Sequence, residues 1–98
     1  MIVNCQLPAG KSKVAYGAGA LGVNDDNTVD IPQYVAKTLV AAGATCADPL
    51  AGTVAGLLAA SSSAEQQYIF WSYNKSPGTP TEANALFAER GEPAVSFT

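Results

Sequence analysis

The chain has no histidine, only one tryptophan and one methionine, and two cysteines among its 98 residues. Without histidine, the commonest general base and the commonest metal ligand are both missing. Nucleophilic catalysis would have to pair a serine or cysteine with a lysine or carboxylate, and no motif sets such a pair side by side. Charge is scarce too: charged residues are 13% against 48% hydrophobic, with a net charge of −3. The cations Lys11, Lys13, Lys37, Lys75 and Arg90 are scattered, so the basic footprint of a nucleic-acid binder is absent. Long apolar runs are missing as well. The most apolar stretch, PLAGTVAGLLAA at 49–60, falls short of the ~20 residues that span a bilayer. Enzyme, metal or cofactor protein, nucleic-acid binder and membrane protein are therefore all disfavoured.

The two cysteines, Cys5 and Cys46, make no C-x-x-C pair. The opening residues MIVNCQLPAG lack a basic region followed by a long apolar run, so no secretory signal is expected. Compartment logic then favours two buried, reduced thiols, with a bond between them as the alternative.

A chain of this length makes one domain, 1–98, with enough buried surface for a modest core. IVNCQL at 2–7 reads as a strand ended by Pro8 and Gly10. KVAY at 13–16 is a second extended segment, which GAGALGV continues irregularly. NDDN at 24–27 is a turn, because Asn and Asp bond their own backbone, and TVDI at 28–31 is a third strand. Pro32 then opens a helix whose apolar stripe is Val35, Ala36, Leu39 and Val40 and whose stop is Gly43. A second helix is expected over 49–60, capped by Asp48, with Leu50, Val54, Leu57 and Leu58 on one face. For the segment from Ser62 the signals conflict: Ser62-x-x-Glu65 is a capping box, whereas YIFWSY is rich in strand formers. Helix is preferred there. Thr79-Pro80-x-Glu82 opens a last helix, TEANALFAER, closed by Gly91, and PAVSFT at 93–98 alternates like an edge strand. The expected fold is α+β: a short antiparallel sheet, hairpin or meander, packed with three or four short helices.

Three motifs invite a nucleotide or metal reading, and each lacks its context. Gly17-Ala-Gly19-Ala-Leu-Gly22 fits G-x-G-x-x-G, but turn and strand signals follow it where a phosphate-binding helix should start. Gly10-Lys11-Ser12 resembles the end of a phosphate loop, yet Cys5 stands where the loop's first glycine belongs. Asp25, Asp26 and Asp30 crowd one turn, but the apolar run towards Leu39 follows where a calcium loop needs its closing acid.

The aromatic run is the strongest positive feature. Tyr68, Ile69, Phe70, Trp71 and Tyr73 are too many large side chains for one face of a short element. Either the run closes this domain's own core or some of its members meet a second surface, and Tyr and Trp are favoured in contact sites for their large area and polar tip. Tyr68, Phe70, Trp71 and Tyr73 are therefore candidate interface residues, with Trp71 partly exposed in the free protein. Gly52-x-x-x-Gly56 gives the 49–60 helix a small-residue face, so Gly52 and Gly56 join that list.

The run NDDNTVDIPQYVAKTLVAAGAT resembles an element of small proteins encoded among the virion genes of tailed bacteriophages. The matching residues are Val29, Ile31, Pro32, Val35, Ala36, Leu39, Ala42 and Gly43. The resemblance implies a non-enzymatic accessory or structural component of the particle, such as a capsid decoration or head-completion protein. Its partners would be other virion proteins or copies of itself in a homo-oligomer, and its location the virion, assembled in the host cytoplasm. A second class fits the same composition: a small intracellular module that binds a host or phage protein and never enters the particle.

Overall fold

A computed structural model describes all residues, 1–98. The chain is α+β. Six strands, all paired antiparallel, form two three-stranded sheets, and four helices pack with them.

The first sheet is centred on β1 (Ile2–Gln6), flanked by β4 (Thr28–Pro32) and β5 (Thr45–Cys46). Strict alternation in β1 buries Val3 and Cys5 and leaves Ile2, Asn4 and Gln6 outside. Opposite them, Val29 and Ile31 point inward and Asp30 outward. The NDDN turn leads into β4 as its chemistry demands: Asn27 adopts φ 60°, and Asp26 Oδ1 accepts from the Thr28 hydroxyl at 2.6 Å.

The register of β1 on β5 sets Cys5 directly opposite Cys46, with Cα atoms 4.1 Å apart, and the two are joined by a disulfide. This corrects the expectation of two reduced thiols. Compartment logic weighs where a chain resides, whereas strand register decides which side chains meet, and here it pairs two residues distant in sequence.

The second sheet has the order β3-β2-β6. In it β2 (Val14–Tyr16) and β3 (Gly19–Leu21) form a tight hairpin, and β6 (Val95–Phe97) returns from the end of the chain to the other edge of β2. The irregular continuation expected over GAGALGV is thus a second hairpin arm.

Helix α1 (Gln33–Ala41) follows β4 directly, with Pro32 at its N-cap and the Gln33 amide bonded to the Met1 carbonyl at 2.9 Å. Tyr34, Val35, Ala36 and Leu39 are buried, whereas Val40, expected on the same stripe, is exposed. Its end is a Schellman closure: the Ala44 amide bonds the Leu39 carbonyl, Gly43 bonds Val40, and the buried Ala44 methyl seals the turn.

The second helix is shorter than expected. Helix α2 covers only Val54–Ala59, capped by Thr53, whose hydroxyl accepts from the Gly56 amide at 3.0 Å; Asp48 caps nothing. Gly52, at φ +95°, breaks the chain just before it. Gly52 and Gly56 therefore share no helix face, and the small-residue contact surface proposed for 49–60 does not form.

Helix α3 (Ser63–Ser72) resolves the conflict in the aromatic segment in favour of helix. The Ser62 hydroxyl accepts from the Glu65 amide at 3.3 Å and donates to Glu65 Oε1 at 3.1 Å, so the capping box outweighs local strand propensity. Helix α4 (Pro80–Arg90) starts with Thr79 capping Glu82 and Pro80 in the first turn, and stops at Gly91. Two buried polar ties hold the helices together: Gln66 Nε2 donates to the Leu58 and Ser61 carbonyls, both at 3.1 Å, and the Tyr34 hydroxyl donates to the Glu65 carbonyl.

Candidate functional site

Helix α3 presents two stripes at helical spacing. Gln66, Ile69, Phe70 and Tyr73 turn toward the core or the α4 side, while Ala64, Gln67, Tyr68 and Trp71 line an open groove. The groove is about 430 Å³, and its opposite walls are Ala20, Leu21 and Gly22 from β3 and its exit and Asp30 and Ile31 from β4. It lies between the terminal strand of one sheet and the terminal strand of the other.

The glycines of the nucleotide-like motif build one side of this site. Gly17, at φ +58°, sits in the β2–β3 turn with its Cα against the Ser72 backbone, where any side chain would collide. The neighbouring Ala18 amide donates to the Ser72 carbonyl at 2.6 Å, so the hairpin tip is fastened to the end of α3. Gly19 lies under the Trp71 indole so closely that a Cβ would overlap the ring. Gly22 touches nothing that a methyl group would reach. The motif serves a hairpin docked on a helix end rather than a phosphate-binding turn.

Trp71 remains 43% exposed with its indole across Gly19, and Tyr68 meets it edge-on, ring centroids 6.3 Å apart. Of the other aromatic candidates, Phe70 is a core residue, 2% exposed, and so offers no surface in this fold. Tyr73 is half-buried; its hydroxyl donates to the Gly91 carbonyl, and Arg90 stands 5.9 Å from the ring centroid in a cation–π arrangement. Gly52 is exposed, and its carbonyl accepts from the Lys37 ammonium. Gly56 is also exposed, in the first turn of α2. The structure thus brings together Tyr68 and Trp71, and leaves Tyr73, Gly52 and Gly56 away from the groove.

The polar members of the site are Gln67 and Asp30. Asp30 stands on the open face of β4, where its carboxylate accepts from the Asn4 and Asn24 side-chain amides, both at 3.0 Å. These bonds, the Asn4 one foremost, hold the carboxyl below the usual aspartate range, so it is ionised at neutral pH. Burial pushes the Tyr16, Tyr34 and Tyr73 hydroxyls above the usual tyrosine range.

Ala64 and Gln67 were not singled out in the sequence, whereas Ala20–Gly22 and Asp30 stood out only within the nucleotide-like and calcium-like motifs. Once helix is assigned at 63–72, the spacing 64, 67, 68, 71 marks half the groove. The other half comes from residues distant in sequence and leaves no local signature. A second, smaller hollow of about 230 Å³ lies between the end of α3 and α4, with Lys75, Glu82 and Glu89 at its rim. No cluster of three or more His, Cys, Asp or Glu residues is placed to hold a metal, and no helix is long and apolar enough to cross a membrane. No protein-family model matches the chain, and no curated protein or solved structure is significantly similar to it.

Proposed function

We propose that this chain is a non-enzymatic structural or accessory component of a bacteriophage particle, acting by protein–protein contact through the Tyr68–Trp71 groove. One observation carries the contact reading. A large, 43% exposed indole lies against Gly19 and meets Tyr68 edge-on, so it stands on the groove wall with little room to move inward. An exposed tryptophan beside a tyrosine is the residue pairing enriched at contact hot spots.

The particle assignment rests on the residues matching the virion-gene element. In the structure they form one continuous unit, from the Asn24–Asn27 turn through β4 and α1 to the Gly43 stop. That unit supplies the β4 wall of the groove. The disulfide is compatible with this life cycle: thiols held opposite each other by strand register can close when a particle leaves the reducing host cytoplasm.

The test is quantitative mass spectrometry of purified particles of the encoding phage. A fixed stoichiometric copy number is expected. Absence from the particle, with the protein retained in the host lysate, would replace this reading with that of an intracellular binding module.

A further inference from the structure

The groove is bounded by two strand edges with unused hydrogen-bonding groups. In an antiparallel ladder, bonded and non-bonded residue pairs alternate. Between β1 and β4, the Leu7 amide bonds the Asn27 carbonyl at 3.1 Å and the Gln33 amide bonds the Met1 carbonyl at 2.9 Å. Counting inward by twos through the register makes Cys5–Val29 and Val3–Ile31 the bonded pairs. The N–H and C=O of Asp30 therefore turn away from β1.

The same counting applies to the other sheet. Lys13 and Thr98 exchange both bonds at 3.0 Å, so Ala15 faces β6, while Val14 and Tyr16 face β3. Their partners Leu21 and Gly19 face back, and the N–H and C=O of Ala20 turn outward. Neither Ala20 nor Asp30 has a backbone partner outside its own ladder. Both residues line the groove.

We infer that the groove takes an extended peptide segment of a partner protein, which adds as a strand to the free edge of β4 and sets a lysine or arginine beside Asp30. Strand addition satisfies open edge groups while side chains at alternate positions supply specificity. Cross-strand neighbours share a face. The residue paired with Asp30 therefore projects onto the open face beside that carboxylate, and a cation there meets an anion fixed by Asn4 and Asn24. The residues on either side of it project to the face of Ile31, on the side of the groove that Tyr68 and Trp71 line. A net charge of −3 on the whole chain favours the same basic partner. This inference rests on the reading of the groove as the contact surface.

The probe is the capped pentapeptide Thr-Val-Lys-Val-Thr, added at millimolar concentration to the isotopically labelled protein and followed by amide and indole NMR shifts. Saturable shifts at Ala20, Asp30 and the Trp71 indole are expected. Replacing the peptide's lysine by glutamate, or Asp30→Asn in the protein, should weaken binding about two- to fivefold. N-methylating the peptide backbone on the edge that faces Asp30 should weaken it by up to about tenfold.

Shifts at Trp71 that ignore N-methylation would mean apolar contact without strand addition and would overturn the inference. So would an absence of shifts at Ala20 and Asp30, or a concentration-dependent dimer, lost in Trp71→Ala, that excludes the peptide. Failure here together with stoichiometric incorporation into particles would sink strand addition alone and leave the proposed function standing.

Discussion

Gly19 lies against the indole of Trp71, with no room between them for a side-chain carbon. The smallest substitution, Gly19→Ala, must therefore displace the ring or the hairpin. A loss of ~1–3 kcal/mol, typical of overpacking, is expected, with a red shift of Trp71 emission as the ring moves into water. Gly22→Ala is the control: nothing surrounds that position, and its stability should change by less than ~0.5 kcal/mol. Equal behaviour of the two variants in chemical denaturation would contradict the clamped-indole geometry.

The disulfide closes a long loop, between residues separated by 41 positions. Loop-closure entropy puts its contribution at up to about 4 kcal/mol, acting on the unfolded chain. Denaturation midpoints of the Cys5→Ala/Cys46→Ala variant should fall accordingly. Reductant should lower the midpoint of the wild-type protein without affecting the variant. Insensitivity of the wild type to reductant would show that the two cysteines are not bonded in solution.

Gln66 is the buried polar tie between the end of α2 and α3. Gln66→Leu keeps the bulk and removes the donor, leaving the Leu58 and Ser61 carbonyls without it. The expected cost is ~1–3 kcal/mol by thermal or chemical unfolding. A neutral outcome would mean that water reaches those carbonyls and that the tie adds nothing.

Two pH effects of opposite sign follow from the site and its surroundings. Asp30 has its carboxyl lowered by the Asn4 and Asn24 amides, so its contribution to stability is present at neutral pH and is lost as pH falls through the lowered value. Carboxyl-carbon NMR should show Asp30 titrating below ordinary aspartates and moving upward in Asn4→Ala. The buried tyrosines act at the other end. Tyr16 and Tyr34 are raised by burial, so the stability they lend is present below the ordinary tyrosine range and is lost as pH rises beyond it. Tyrosinate absorbance for these two should appear only together with unfolding. Reversible ionisation of Tyr16 and Tyr34 with the fold intact would contradict their burial.

Much of this architecture is legible in the sequence because the signals are local. The caps at Ser62 and Thr79, the Pro32 start and the Gly43 stop each act within a few residues, and each lies where local chemistry puts it. Local reading failed at 49–60, where a plausible cap at Asp48 and an apolar stripe were overridden by the backbone break at Gly52 and the better cap at Thr53. It also placed Phe70 at an interface, since composition shows that an aromatic run is too large for one face but not which members go where. The helical period decides that: Phe70 follows Gln66 inward and Trp71 follows Gln67 outward. The Cys5–Cys46 bond stood only as the less favoured alternative, and the strand side of the groove had no local signature. Both depend on register between strands far apart in the chain, on Cys5 meeting Cys46 and on two sheet edges facing one helix.

The proposed contact places another polypeptide in the Tyr68–Trp71 groove. A photo-crosslinking residue introduced at Gln67, exposed on the groove wall, tests it most directly when the protein is produced during phage infection. The same residue at Lys11, exposed and outside the groove, serves as the reference. A discrete crosslinked product containing a second virion polypeptide is expected from position 67, and none from position 11. Identical background labelling from both positions would contradict the proposed contact.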